Sequence, residues 1–236
     1  MQGGKILKIL SIDTSSPICS VAVLEDKLLL KEVSQDNGLT HSETLMPIIK
    51  NILAELNLNL NDIDLIVCDK GPGSFTGIRI GVATAKAFSD SLNIKSIGIS
   101  SLEGLAYNVK TDGVICSLID AKNDNVYVGV FQKIADNYLV RRNFSAENLS
   151  DILEELKNVE YPITFVGDGA VNYKDLIAIK IPNSVFVDNN DLSAYNLGLA
   201  GLKHFKDEDF PDVLPLYLRK PQAERMLEQK LKNNME

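Results

Sequence analysis

Residues 71–81 have the sequence Gly-Pro-Gly-Ser-Phe-Thr-Gly-Ile-Arg-Ile-Gly. The apolar run before this segment, Ile63–Val67, is typical of a buried strand, and small side chains then recur at Gly77, Gly81 and Ala85. The pattern predicts a strand, a glycine loop and a helix. Two interpretations fit the loop: its glycines bring a phosphate close to the helix N-terminus, or they form a tight turn and allow close helix packing.

Composition limits the class of protein. The chain has 236 residues, of which 45% are hydrophobic and 24% are charged, as in an ordinary globular protein with ample core. The net charge of −8 argues against a free-standing nucleic-acid binder, which usually presents a basic face to phosphates. No apolar run has the roughly 18 residues that a membrane span needs. The start leads directly into a strand pattern, and we expect a cytoplasmic protein.

Cysteine and histidine give no sign of a metal site. Cys19, Cys68 and Cys116 lie in or beside apolar runs and form no CxxC pair, which favours reduced thiols in the core. His41 and His204 are the only histidines and are far apart in sequence. A zinc site normally needs closely spaced His, Cys or carboxylate ligands. We therefore expect no metal, and we interpret the segment around His41 as the capped start of a helix.

The chain repeats one pattern. Ile12-Asp13 is followed by a polar turn and the strand Val21–Val23, and Ile119-Asp120 is followed by a polar turn and the strand Val128–Val130. This predicts two lobes of a β-β-β-α-β plan in an α/β protein. The predicted divisions are an N-terminal lobe at 1–109, a C-terminal lobe at 110–219 and a polar tail at 220–236.

The repeated turns suggest a weak nucleotide site between the lobes. Carboxylate, hydroxyl and glycine positions near the strand ends can approach the phosphates, the metal and the adenosine of a nucleotide. The candidates are Asp13, Thr14, Ser15, Asp120, Gly167 and Gly169. The second turn continues as Ala-Lys-Asn-Asp-Asn, without glycine, so charged side chains would crowd a triphosphate. We expect weak ATP or ADP binding at most and no required cofactor.

Two predicted helices, at 43–57 and 76–91, carry a broad apolar stripe and a row of small residues. These residues either serve only the core, or serve the core and also present a face to a partner protein. The candidate partner residues are Leu45, Met46, Ile49, Leu53, Gly77, Gly81, Ala85 and Phe88.

Five motifs occur in a recognisable order. They are Ile12–Ser15, His41–Glu43 with Pro47, Gly71–Gly81, Ser100–Ala106 and Pro215–Arg219. Together they resemble the TsaB family of bacterial tRNA threonylcarbamoyladenosine biosynthesis proteins, which is related to TsaD and to the Kae-like, glycopeptidase-like proteins. The resemblance covers nearly the whole chain, and the eleven-residue glycine segment is its most specific part.

The resemblance implies the actin-like, Hsp70-like, sugar-kinase-like fold, with two RNase-H-like lobes and mixed central sheets. It implies a non-catalytic scaffold or activator that acts with TsaD, which transfers threonylcarbamoyl to the adenosine next to the anticodon, and with the ATPase TsaE. We expect contact with tRNA only through that complex, and self-association through the same helical face when the chain is alone. The alternatives are an ATP-dependent small-molecule kinase of the same fold and a glycopeptidase-like metalloprotein.

Overall fold

The structure is a computed structural model that describes residues 5–36, 38 and 40–219. The tail predicted at 220–236 lies outside the described residues. The first half of the described chain contains β1 (Lys8–Asp13), β2 (Cys19–Glu25), β3 (Leu28–Gln35), α1 (His41–Glu55), β4 (Leu65–Asp69), α2 (Phe75–Leu92), β5 (Lys95–Ile99) and α3 (Ser101–Ala106). The second half contains β6 (Gly113–Asp120), β7 (Asn125–Ile134), β8 (Asn137–Asn148), α4 (Leu149–Leu156), β9 (Ile163–Val166), α5 (Asp168–Asn172), α6 (Lys174–Lys180), β10 (Ser184–Phe186) and α7 (Ala194–Lys206).

Two five-stranded mixed sheets repeat one topology. The strand orders are β3-β2-β1-β4-β5 and β10-β9-β6-β7-β8, so β6 corresponds to β1 and β9 to β4. Strand β1 pairs antiparallel with β2 and parallel with β4. In the same way, β6 pairs antiparallel with β7 and parallel with β9. The prediction of two repeated α/β lobes is confirmed.

Helices cover both faces of the first sheet because its strands are apolar on both sides. One face packs against α1 and α2, with Ile49 and Ala85 in that core. The opposite face packs against α7 through Leu197 and Ala200. Helix α7 belongs to the range predicted for the C-terminal lobe, yet it packs on the first sheet. The division at 109/110 therefore falls between the sheets but not between two independent cores, and it stays a prediction.

The second sheet has a core of its own on one face, where α4 packs, and its other face packs against α3 through Leu102 and Leu105. Helix α3 also contacts α7, so these two helices lie between the sheets. The three cysteines are buried and unpaired, as predicted. None of the helices in the described ranges is long and apolar enough to cross a membrane.

Helix α1 begins with a capping interaction. The Glu43 carboxylate accepts hydrogen bonds from the Thr40 backbone N–H at 3.0 Å and from the Thr40 hydroxyl at 2.6 Å. The neighbouring His41 points to the first sheet, where its Nε2 donates to the Ser16 carbonyl at 2.8 Å. The helix-start interpretation of this segment is confirmed, and His41 in addition ties α1 to the β1–β2 turn.

The glycines of the 71–81 segment let α2 approach that turn at backbone distance. A Cβ at Gly77 would lie 1.9 Å from the Thr14 carbonyl oxygen, and a Cβ at Gly73 would lie 2.3 Å from the Ser15 carbonyl oxygen. Two hydrogen bonds hold the contact: Thr14 Oγ1 donates to the Gly77 carbonyl at 2.8 Å, and the Ser74 N–H donates to the Ser15 carbonyl at 2.6 Å. The glycines therefore serve close packing.

Replacing Gly77 by alanine should destabilise the protein strongly. The added methyl group would meet backbone atoms, which cannot move aside as a flexible side chain would. We expect the free energy of unfolding to fall by about 3 kcal/mol or more, as for a severe overpacking substitution. Urea unfolding followed by circular dichroism measures this change.

The matched control is Lys86→Ala on the exposed side of the same helix, which should change stability by less than about 0.5 kcal/mol. Equal stability of G77A and K86A would show that the close contact between α2 and the turn does not exist.

Candidate functional site

A cleft of about 590 Å³ lies between the two sheets, at the carboxyl ends of their central parallel strands. Ligands of open α/β sheets commonly bind at such strand ends. The first lobe contributes the turn after β1 and the loop before α2, and the second lobe contributes the turn after β6 and the start of α5. The two turns that the sequence repeat predicted to face each other thus meet in one cleft.

The six predicted nucleotide residues divide into two groups. Ser15 and Asp120 line the cleft. Asp13 and Thr14 are fully buried beneath it, and Thr14 is bonded to α2. The Gly167 N–H donates to Asn190 Oδ1 at 2.9 Å, and Gly169 packs against Leu118. Thr14, Gly167 and Gly169 therefore offer no free group to a ligand, because the chain's own packing and hydrogen bonds use them, and Asp13 is shielded by its burial.

The turn after β6 is held by its own side chains. Asp120 Oδ1 accepts from the Lys122 N–H at 2.8 Å, and Asp120 Oδ2 accepts from Lys122 Nζ at 2.8 Å and from Asn172 Nδ2 at 3.2 Å. Burial alone would raise the pKa of Asp120, but the hydrogen bonds and charge of Lys122 hold this pKa below its ordinary value. The Asp120 carboxylate is thus already neutralised within the chain.

The backbone of both turns offers little to a phosphate. Three consecutive residues of the second turn, Lys122, Asn123 and Asp124, have positive φ although none is glycine. The Ala121 N–H donates to the Asn125 carbonyl at 2.9 Å, and in the first turn the Ser15 N–H donates to Asp13 Oδ1 at 2.8 Å. A phosphate cradle needs such N–H groups free and pointing at the ligand.

The charge of the cleft also disfavours a triphosphate. Its lining includes four carboxylates and one ammonium group: Asp36, Asp120, Asp168, Asp191 and Lys122. Like charges at close range repel, and walls of low dielectric strengthen the repulsion. The residues present do not fit a tightly bound ATP.

Beneath the cleft lies a pair of buried carboxyl groups that the sequence analysis did not identify as a pair. Asp13 ends β1 and Asp69 ends β4, its parallel neighbour. Asp69 Oδ1 accepts from the Gly71 N–H at 2.6 Å and lies 2.8 Å from Ser101 Oγ. Asp13 Oδ2 and Asp69 Oδ2 are both buried, and neither has a hydrogen-bond partner within the described ranges.

Burial and the neighbouring charge of Asp69 raise the pKa of Asp13 well above its ordinary value. Burial likewise raises the pKa of Asp69, while hydrogen bonds from Ser15 and Gly71 oppose the rise. Two adjacent carboxyl groups away from water cannot both ionise at low cost, so they share one proton. We assign the proton to Asp13 because Asp69 accepts the hydrogen bonds that favour a carboxylate. The pair thus anchors the glycine loop as a structural element.

The eight predicted partner residues also divide into two groups. Leu45, Ile49, Leu53 and Ala85 are buried in the first lobe's own core, and Gly77 and Gly81 pack against Thr14. Phe88 is half-buried against the same core, and only Met46 is exposed. The apolar stripe and the small residues thus face the chain's own core, and among the eight only Met46 is placed to meet a partner; their part in an interface stays a prediction.

A cluster that the prediction did not include lies at the start of α2. The Arg79 guanidinium stacks over the Phe75 ring at 3.9 Å, and Arg79 Nε lies 2.7 Å from the Tyr217 hydroxyl. The rings of Phe75 and Tyr217 stack with their centroids 4.7 Å apart. No carboxylate in the described ranges forms an ion pair with Arg79. The motifs 71–81 and 215–219 contained these residues, but their proximity could not be seen from the sequence.

No group of three His, Cys, Asp or Glu side chains within residues 5–36, 38 and 40–219 is arranged to hold a metal ion. His204, the second histidine, lies near the end of α7, where its Nε2 is 2.9 Å from Glu103 Oε1 and its Nδ1 is 2.7 Å from Asp209 Oδ2. The hydrogen bond to Glu103 raises the pKa of His204. This histidine joins α7 to α3.

Comparison with known proteins gives one consistent family. A family model described as tRNA N6-adenosine threonylcarbamoyltransferase, TsaD, matches residues 35–225. The tRNA threonylcarbamoyladenosine biosynthesis protein TsaB of Bacillus subtilis is 33% identical over 92% of this chain and 96% of its own length. The solved structure of YeaZ from Pseudomonas aeruginosa superposes with a TM-score of 0.74 at 26% identity, over 90% of this chain and all of the other.

A more distant structure shares the fold alone. It is the activator of the 2-hydroxyisocaproyl-CoA dehydratase from Clostridium difficile with bound ADPNP, which has a TM-score of 0.52 at 11% identity over 86% of this chain and 97% of its own. The predicted fold class is confirmed by these superpositions.

The buried pair predicts a specific dependence of stability on pH. Because the folded-state pKa of Asp13 is raised, its stabilising contribution is complete below its ordinary pKa of 3.8 and is lost as the pH rises through the folded-state pKa. Asp13→Asn keeps a donor toward Asp69 and cannot ionise. As the pH rises from about 4.5 to about 7, we expect the free energy of unfolding to fall less in D13N than in the wild type. At neutral pH the two free energies should agree within about 1 kcal/mol.

Urea unfolding at both pH values measures the difference. Asp13→Ala is the control: like D13N it cannot ionise, but it also removes the acceptor of the Ser15 N–H, so it should lie about 2 kcal/mol below D13N at both pH values. Parallel stability–pH curves for the wild type and D13N would contradict a raised pKa at Asp13.

Proposed function

The chain belongs to the TsaB family of tRNA threonylcarbamoyladenosine biosynthesis proteins, and from this membership we propose that it is a non-catalytic subunit in the formation of threonylcarbamoyladenosine. Its role is to activate or scaffold the transfer of threonylcarbamoyl to the adenosine that follows the anticodon. The observation that carries the proposal is the match to the Bacillus subtilis protein along 92% of the chain. We propose that the protein acts in the cytoplasm, where tRNA is modified.

A non-catalytic role agrees with the chemistry of the cleft. Asp120 pairs with Lys122, and the N–H groups of Ser15, Ala121 and Lys122 are bonded within the chain. The buried pair of Asp13 and Asp69 lies below the cleft surface, out of reach of a substrate. Groups held in this way are poor candidates for proton transfer or for phosphate activation. We propose that no cofactor is required and that ATP or ADP binds in the cleft only weakly.

The partners proposed are TsaD, which would carry out the transfer, and TsaE, with tRNA reached through their complex. For the TsaD contact we propose the outer faces of α1 and α2, defined by Met46 and the Phe75–Arg79–Tyr217 cluster. Arg and aromatic residues, with a flexible methionine beside them, are enriched in protein interfaces. The Arg79 charge has no acidic partner within the described ranges and is free to meet one on a partner. When alone, the chain would self-associate through the same face.

Loss of this protein should abolish the modification. We expect depletion in the host cell to lower threonylcarbamoyladenosine in digested bulk tRNA, measured by nucleoside mass spectrometry, while pseudouridine stays constant as an internal control. Re-expression of the wild-type chain should restore the modified nucleoside. Threonylcarbamoyladenosine that stays at its normal level after complete depletion would refute the pathway assignment.

The interface can be tested with two exposed apolar residues of similar accessibility. Met46 on α1 is 48% exposed, and Leu139 on β8 is 50% exposed. We expect Met46→Glu to weaken binding to the TsaD of the same organism by about tenfold or more, as for a central interface residue, and Leu139→Glu to leave it unchanged. Biolayer interferometry gives the affinities, and thermal unfolding checks that both variants fold.

Arg79→Glu tests the same face independently, because it reverses a surface charge and leaves the core intact. We expect it to weaken TsaD binding as well. If M46E and R79E both bind TsaD with wild-type affinity, the outer faces of α1 and α2 are not part of the interface.

A further inference from the structure

A second pocket, of about 280 Å³, lies at the other end of the molecule from the cleft. The turn between β2 and β3 and the turn between β7 and β8 form two of its walls, and these turns are at the opposite ends of β2 and β7 from the cleft turns. Residues after α3 and one side of α7, from Tyr195 to Lys206, complete it. Both sheets thus contribute to this pocket, as they do to the cleft.

The lining of this pocket is strongly basic in a chain of net charge −8. Five lysines line it, with one carboxylate: Lys27, Lys110, Lys133, Lys203, Lys206 and Asp136. Three of these lysines have carboxylate partners, since Lys27 pairs with Asp136, Lys133 with Asp112 and Lys203 with Asp207. Lys110 and Lys206 have none within the described ranges. Among the described residues the pocket therefore keeps an excess of positive charge at Lys110 and Lys206.

The ammonium groups are held close enough to affect one another. Lys133 is buried, and its Nζ donates to Asp112 Oδ1 at 2.9 Å and to the Ala135 carbonyl at 2.6 Å. Lys110 Nζ donates to the Tyr107 carbonyl at 2.6 Å, which leaves two of its three N–H groups free. Burial and the charge of Lys133 lower the pKa of Lys110. An anion between these groups would relieve that repulsion.

The walls are rigid before any ligand enters. The rings of Tyr107 and Tyr138 stack with their centroids 4.0 Å apart. The Tyr138 hydroxyl donates to the Val109 carbonyl at 2.9 Å, and the Tyr195 hydroxyl donates to the Lys27 carbonyl at 3.1 Å. These two tyrosine hydroxyls are thus engaged, and the free donors of the pocket are ammonium groups.

We propose that this lysine pocket binds a phosphate group. Lysine binds phosphate as a point charge, and several ammonium groups around a small volume suit the higher charge and the several oxygens of a phosphate better than a singly charged carboxylate. The phosphate belongs either to the backbone of an RNA or to a free phosphorylated molecule, since both present the same oxygens. The proposal does not depend on the pathway assigned above, because it rests only on the residues of the pocket.

The first test titrates inorganic phosphate into the full-length protein at low salt, followed by ³¹P NMR line broadening. We expect saturable binding, weakened roughly fivefold or more in the double variant K110Q/K206Q, since charge-assisted hydrogen bonds to two ammonium groups are lost but solvent screens them in part. The control is Lys180→Gln on α6, an exposed lysine outside the pocket, which should bind phosphate as the wild type does.

A second measurement on the wild-type protein does not depend on the folding of a variant. Acetylation of surface lysines, read by mass spectrometry, should be slowed by phosphate at Lys110 and Lys206 and not at Lys180. An unmodified tRNA transcript then identifies the source of the phosphate: RNA is the ligand if tRNA competes with phosphate and the same variants weaken its binding, and a small molecule is the ligand if it does not compete. Absence of saturable phosphate and tRNA binding, or equal effects at Lys180, would overturn the proposal.

Discussion

The structure depends on one contact between two pieces of backbone, where α2 meets the turn after β1. Side chains are absent at Gly73 and Gly77, so the chain comes close enough for Thr14 and Ser15 to bond directly to the start of the helix. The loop before the helix is held from below by Asp69, whose carboxyl group accepts the Gly71 N–H. The Thr14 hydroxyl and the Ser15 carbonyl of the first turn are thereby used to build the lobe.

This use of the glycine loop explains the character of the cleft. A fold in which two sheets direct their strand ends at each other creates a cavity whether or not the chain has kept the groups for nucleotide chemistry. Here the first turn is bonded to α2, and the second is bonded to itself through Asp120 and Lys122. The cleft remains as a consequence of the fold, while its polar groups stabilise the turns.

Much of the fold could be predicted because its signals are local and repeated. The echo of Ile12-Asp13 in Ile119-Asp120 located both lobes, and capping spacing located the start of α1 near Thr40. The site could not be predicted as well because it depends on which way side chains face. A stripe such as Leu45, Ile49 and Leu53 has the same spacing whether it meets the chain's own sheet or a partner, and only the sheet behind α1 decides between them. The pairing of Asp13 with Asp69 likewise needed the register of β1 and β4.

The net charge describes the chain as a whole and does not reveal where a local basic site lies. A chain of charge −8 repels phosphate over most of its surface, and this repulsion falls off within about 10 Å at ordinary ionic strength. Five lysines collected in one pocket from β2–β3, β7, the segment after α3 and α7 therefore act as a local site, because the carboxylates elsewhere are screened from it. The lysines are spread along the chain from Lys27 to Lys206, so no linear motif reveals them. Folding brings these lysines together into one basic pocket.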